Sequence, residues 1–235
     1  KIMQSSYSYL NAKEMKDVDD ELMGDLNFSI YQLMELAGLS VAQSLYHYNH
    51  TVLEQEHGKK VLTIVGPGNN GGDALVAARH LKFFGHETII YYPKRPKKDI
   101  YSKLISQCEN MDITFTESLP ESLTTENYDY ILDGIFGFSF TGEIRKPFDT
   151  VIEAIGSSEV PVVSIDVPSG WNVDDGNVNS TFTPQMVVSL TAPKKCMIGY
   201  EGAHYVGGRF VPRAIIEKYG IILPEYNGAD QFAKI

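Results

Sequence analysis

The chain reads as a doubly wound α/β domain, with a mostly parallel sheet, helices on both faces and extra helices at the N-terminus. Three observations predict this. Short apolar runs alternate with segments of helical periodicity. The runs are apolar at nearly every position, as strands covered on both faces require. A glycine-rich segment joins the first run to the helix that follows it.

Two helical patterns open the chain. Residues 11–23 carry many acidic positions, and from Ile30 the apolar positions Leu33, Met34, Ala37, Val41 and Leu45 recur at helical spacing. Asn27 and Ser29 are the capping candidates for the second helix. Gly38 inside it costs about 1 kcal/mol relative to alanine, which close packing against a neighbouring backbone would justify. Val61–Val65 then reads as strand, Ala74–Phe84 as a helix closed by Gly85, Thr88–Tyr92 as strand and Ile100–Cys108 as helix. Ile113–Phe115, Tyr130–Leu132, Val162–Ile165 and Val187–Leu190 are further strands, with a helix from about Phe148 to Ile155. A short helix over Arg213–Tyr219, ending at Gly220, is expected beyond Gly207. With no repeat, low-complexity tract or linker, residues 1–235 are expected to form a single domain.

Composition narrows the function. The chain is 43% hydrophobic and 21% charged, with net charge −10 and pI ≈ 5.0. An acidic whole disfavours a nonspecific grip on nucleic acid, which needs phosphate neutralisation. The basic run Lys94, Arg95, Lys97 and Lys98 reads as a solvated loop around Pro93 and Pro96. Two distant cysteines, Cys108 and Cys196, suggest neither a disulfide framework nor a zinc site. No apolar run is long enough to span a membrane. A cytoplasmic location is expected, with a mitochondrial one as the alternative, because the chain starts at Lys1 and leaves a removed leader open.

The segment Gly66-Pro67-Gly68-Asn69-Asn70-Gly71-Gly72-Asp73 follows the first strand and leads into a helix. Gly66, Gly68 and Gly71 fit G-x-G-x-x-G, a pattern that brings backbone N–H groups and a helix N-terminus up to an anion. Two details disturb an ordinary dehydrogenase reading. The second strand ends in Tyr92-Pro93-Lys94-Arg95 with no carboxylate for a ribose, and Asn69, Asn70 and Asp73 are more polar than a dinucleotide loop requires. Asp73 is either a helix cap or a partner for a ligand hydroxyl.

Asp133 and Asp166 each stand at the end of an apolar strand, where open parallel sheets bind ligands. Between them runs Gly137-Phe138-Ser139-Phe140-Thr141-Gly142-Glu143, whose polar groups and aromatics suit a ring-bearing ligand. The segment narrowly fails the nucleophile-elbow pattern, so a hydrolase using Ser139 and His204 is disfavoured. Asn70, Asp133 and Ser169 are oxygen donors on this rim. With one carboxylate among them, K⁺ suits them better than a divalent ion.

Leu33 to Gly38, Gly66 to Asp73, Asp133-Gly134 with Gly137 to Gly142, and Asp166-Val167-Pro168-Ser169-Gly170, taken in this order and spacing, resemble the YjeF N-terminal domain family. The resemblance covers nearly the whole chain. It implies a Rossmann-like fold and NAD(P)H-hydrate epimerase activity: interconversion of the R and S hydrates of NADH and NADPH in cofactor repair, the S form passing to a dehydratase. By similarity, Asn69, Asn70, Gly71, Gly72, Asp73, Gly137 to Glu143 and Asp166 contact the hydrate. Asn70, Asp133 and Ser169 hold one K⁺ per subunit. Asp166 is expected to act as the catalytic acid/base. Because the chain ends at Ile235, the dehydratase is expected to be a separate protein. The resemblance and Gly38 together suggest a homodimer. The competing expectations are a scaffold that has lost the chemistry and an NAD(P)-dependent oxidoreductase.

Overall fold

The computed structural model describes residues 7–55 and 58–235. The N-terminal pair is α1 (Ala12–Met23) and α2 (Ile30–His47). Asn11 caps α1 with Glu14 answering, and Ser29 caps α2 with Gln32 answering; each is a reciprocal capping box that satisfies two otherwise orphaned N–H groups. Asn27, the other capping candidate, instead occupies the turn between the helices at φ 58°. A single π turn over Tyr48–Val52 extends α2.

The sheet follows in alternation with helices: β1 (Lys60–Val65), α3 (Asn69–Phe83), β2 (Glu87–Tyr91), α4 (Asp99–Glu109), β3 (Thr114–Thr116), β4 (Tyr130–Gly134), α5 (Phe148–Gly156), β5 (Val162–Ile165) and β6 (Met186–Leu190). β7 (Ala203–Gly207), α6 (Arg213–Tyr219) and β8 (Phe232–Lys234) complete it. The strand order is β3-β2-β1-β4-β5-β6-β7-β8, parallel throughout except for the antiparallel β7–β8 pair. The doubly wound, mostly parallel α/β expectation holds. Order reverses between β1 and β4, which opens the crevice where such sheets take ligands.

Successive residues of each strand feed opposite cores, so apolar runs were needed rather than alternation. Val61, Val65, Leu132 and Val163 pack with α2, α3 and α4 on one face. Leu62, Ile64, Ile131 and Val162 pack with α5 on the other. A third cluster, with Met15, Val18 and Leu22 of α1 against Leu33, Ala192 and Ile215, holds α1 over the carboxyl ends of the strands.

Three readings need correction. α3 begins at Asn69 rather than near Ala74, so Asn69 to Asp73 are helical. The apolar period could not reveal this, because the first turn is polar or glycine. A Cβ on Gly71 would lie 2.0 Å from the Gly66 carbonyl oxygen, and one on Gly72 would lie 2.5 Å from Met34 Sδ. Asp73 is not the cap either: the N-cap is Gly68, and Asp73 sits one turn further in. Finally, a Cβ on Gly38 would lie 2.4 Å from the Val76 side chain. That glycine is used where α2 crosses α3 within the chain and gives no support to a homodimer. Lys94, Arg95, Lys97 and Lys98 are exposed, as expected of a solvated loop, with the Arg95 guanidinium 4.8 Å from the centre of the Phe115 ring.

Candidate active site

A cavity of about 510 Å³ lies at the carboxyl ends of the central strands. Its walls are the first turns of α3 (Gly68, Asn69, Asn70, Asp73), the loop after β4 (Gly137 to Thr141), Asp166 after β5, and Leu190, Thr191 and Lys194 after β6. α1 and α2 close it from above with Met15, Asp19, Met23, Leu33 and Met34. Of the residues expected to meet a ligand, Asn69, Asn70, Asp73, Gly137, Phe138, Ser139, Phe140, Thr141 and Asp166 line this cavity. Gly71, Gly72, Gly142 and Glu143 are not part of the lining: the first two are buried in helix packing, and the last two are exposed on the loop.

Asp166 is 4% exposed and adopts φ 69°, a left-handed conformation that Asp tolerates better than most residues. Its own N–H donates to the Val188 carbonyl at 2.7 Å, which anchors the turn to β6. Oδ2 accepts the Phe138 N–H at 2.9 Å; Oδ1 accepts the Leu190 N–H at 3.3 Å and the ammonium of Lys194. Lys194 is wholly buried and donates a second bond to the Leu190 carbonyl, with the Phe138 ring centre 5.9 Å away. A buried ion pair of this kind is tolerated because both partners carry further hydrogen bonds. Thr191, between Leu190 and Lys194, also sits in the left-handed region at φ 69°. For a β-branched residue that is backbone strain of order 1–3 kcal/mol, a feature that concentrates at functional sites.

Asp133 is fully buried on the adjacent strand. Oδ1 accepts from Ser169 Oγ at 2.5 Å and the Ile135 N–H at 3.3 Å; Oδ2 accepts from Ser164 Oγ at 2.7 Å and the Ser169 N–H at 2.9 Å. Burial raises its pKa, and these donors oppose the rise. Among the described residues no cationic side chain pairs with it. Ser169 therefore meets Asp133 directly. Asn70 lies apart from that pair: its Oδ1 and Asp166 Oδ2 both approach the same point beside Gly137, at 3.4 and 3.1 Å from where a Cβ would stand. The Asn70 amide nitrogen is buried with no hydrogen-bond partner.

Ser139 and His204 do not meet, since His204 Nε2 pairs with Ser189 Oγ at 2.9 Å inside the sheet. That removes the hydrolase reading.

Sequence reasoning missed Lys194 and Asp19. Lys194 follows the β6 run by four residues, in Thr191-Ala192-Pro193-Lys194, a position where a charged residue after an apolar strand was a usable signal. Asp19 was hidden among the other acids of α1. Burial pushes its carboxyl up to about 6, with the charges of Asp166 and Asp20 adding and Lys194 opposing. Asp73 is pushed well above the usual carboxylate range, first by burial and then by the charges of Asp166 and Asp19, against the pull of Lys194.

Residues 30–196 match the family described as YjeF-related protein N-terminus. The chain belongs to that family. A protein of Neurospora crassa named NAD(P)H-hydrate epimerase is 49% identical over 230 residues, covering 96% of this chain and 95% of its own length. One of the same name from Dictyostelium discoideum is 45% identical over 234 residues, covering 98% and 97%. The crystal structure of yeast ynu0 superposes with a TM-score of 0.91 at 39% identity, covering 97% of this chain and 100% of that one. In this YjeF-related chain α1 lies outside the matched span, yet it supplies Asp19 and Met15 to the cavity.

The position of Asp19 has a measurable consequence. Its folded pKa of about 6 exceeds the ordinary 3.8, so the folded state binds more protons than the unfolded state between about pH 4 and pH 6. Stability falls as pH rises through that window, and the full penalty, up to about 3 kcal/mol, is present at pH 7. Asp19→Asn is therefore expected to raise the unfolding free energy at pH 7, with the gain gone below about pH 4. Denaturant unfolding of both proteins across that range measures it; a difference independent of pH would contradict the assignment.

Proposed function

We propose that this chain is an NAD(P)H-hydrate epimerase. The observation that carries the reading is the buried Asp166–Lys194 pair at the wall of a ring-sized cavity, in a chain matched over nearly its whole length by proteins of that name. The substrate is reduced nicotinamide that has taken up water at ring carbon C6. That carbon carries both a hydroxyl and the ring nitrogen, and its hydrogen is not acidic. Inversion must therefore break and remake a bond from C6 to oxygen or nitrogen, which calls for a group that gives and recovers a proton. Asp166 is suited to this: Oδ1 is tied down by Lys194, and Oδ2 faces Gly137 and the cavity. The first turn of α3, whose N-cap Gly68 supplies no side-chain cap, suits the phosphates.

The residues also fit a monovalent cation. Asp133 is a buried carboxylate without a cationic partner among the described residues; the Ser164 and Ser169 hydroxyls meet it, and the Asn70 amide oxygen stands off beside Gly137. K⁺ held by Asp133, Ser169 and Asn70 would supply the missing counter-charge and stiffen the turn that carries Asp166. One carboxylate is too little charge to dehydrate a divalent ion. The reading further pairs the enzyme with a separate dehydratase specific for the S hydrate, because epimerisation alone leaves two unusable cofactors.

The test mixes R and S hydrates of NADH with an S-specific dehydratase and its nucleotide, with and without this protein, each epimer being followed by chromatography. The R form is expected to drain well above its spontaneous rate only when this protein is present. Decay at the spontaneous rate would remove the proposal and leave the scaffold.

A further inference from the structure

Where inversion at C6 goes through the C6–O bond, oxygen leaves one face of the ring and returns to the other. Asp166 is fixed by the Phe138 and Leu190 N–H groups and by Lys194, so one immobile carboxylate serves one face. The cavity offers four titratable side chains: Asp19, Asp73, Asp166 and Lys194. Lys194 is buried and committed to two acceptors. Asp73, on the wall made by α3, and Asp19, on the roof made by α1, have no hydrogen-bond or ion-pair partner among the described residues. Asp73 shares the first two turns of α3 with Asn70, whose Oδ1, like Asp166 Oδ2, approaches Gly137.

We propose that Asp73 is the second acid/base of the inversion, serving the ring face turned away from Asp166. The inference rests on the epimerase reading. One carboxyl protonates the departing hydroxyl: the C6–O bond breaks with its electron pair going to oxygen, water leaves, and the ring nitrogen's lone pair forms the N=C6 bond of an iminium cation. Water then adds to C6 from the opposite face, its proton passing to the other carboxylate, and the N=C6 pair returns to nitrogen. No redox partner is consumed. One carboxyl has lost a proton and the other has gained one, and exchange with solvent restores both. The physical setting supports the donor role. Burial and the neighbouring charges of Asp166 and Asp19 raise the Asp73 pKa, the direction that favours a proton donor.

The test follows single epimers in ¹⁸O-water with wild type, Asp73→Asn and Asp166→Asn, combining chromatography of the epimers with mass analysis of the C6 oxygen. Wild type is expected to interconvert the epimers and label both. Each variant should lose interconversion by about 100-fold or more. Each should still label one epimer, with retention, and the labelled epimer should differ between the two variants. A merely structural role for Asp73 would not produce that reciprocity. Interconversion by Asp73→Asn near the wild-type rate overturns the proposal. So does loss of labelling in both epimers by an Asp73→Asn protein of unchanged melting temperature, or wild-type inversion without label. Absence of interconversion in wild type would instead bring down the epimerase reading itself.

Discussion

Asp166→Asn is expected to lower kcat for epimerisation by about 10²–10⁴-fold, the range for removing a general acid/base, with KM changed several-fold at most. Asparagine is the informative substitution because the residue sits at φ 69°. Asn tolerates that left-handed conformation, whereas alanine would add strain on the order of 1 kcal/mol and confuse charge with backbone. The amide oxygen can still accept the Phe138 N–H, so the loop that shapes the cavity keeps its anchor. What is lost is the negative charge that holds Lys194 and the capacity to move a proton. Progress curves at saturating and limiting substrate separate kcat from KM. A variant within threefold of wild-type kcat would show that Asp166 shapes the site without doing chemistry.

Much of this was legible because parallel strands advertise themselves. Val61–Val65 and Val162–Ile165 read as uninterrupted apolar runs, and the rule that ligands gather beyond strand ends then directs attention to Asp133 and Asp166. Their adjacency on β4 and β5 followed once the strand order was assumed. The first turn of α3 was not legible, because Asn69 to Gly72 carry no apolar period and helix glycines are ordinarily read as loop. Only the packing of Gly71 on Gly66 and of Gly72 on Met34 explains them. β7 and β8 escaped for a related reason. β7 places the polar His204 among its inward residues, where Ser189 satisfies it, and β8 is three residues long on the sheet edge. The roof could not be foreseen at all: α1 has an ordinary amphipathic pattern, and nothing local marks Asp19 among five other acidic residues in residues 14–25. That information lies in tertiary packing, in Leu10 bridging to Lys194 and Met15, Val18 and Leu22 docking on Leu33 and Ala192.

Lys194→Met should be the most destabilising single change in the site. Lys194 and Asp166 are both buried, and taking away one member of a buried pair typically costs about 3–5 kcal/mol, because the remaining charge has lost its partner. For a chain of this size that corresponds to a fall in melting temperature of roughly 6–20 °C. Methionine matches the lysine stem in length and flexibility, so a cavity is not the cause. The main-chain seam is unaffected, since the Leu10 N–H to Pro193 carbonyl bond at 2.8 Å and the Lys195 N–H to Leu10 carbonyl bond at 3.0 Å involve no side chain. The decisive comparison is the double variant Lys194→Met with Asp166→Asn. If the ion pair is the cause, the double variant is more stable than Lys194→Met alone, because the uncompensated carboxylate is gone. Strict additivity of the two single changes would mean that each residue acts through separate contacts. Activity should separate from stability in the same set. The double variant regains melting temperature but not turnover, since relieving the buried charge returns no proton-carrying group to the cavity.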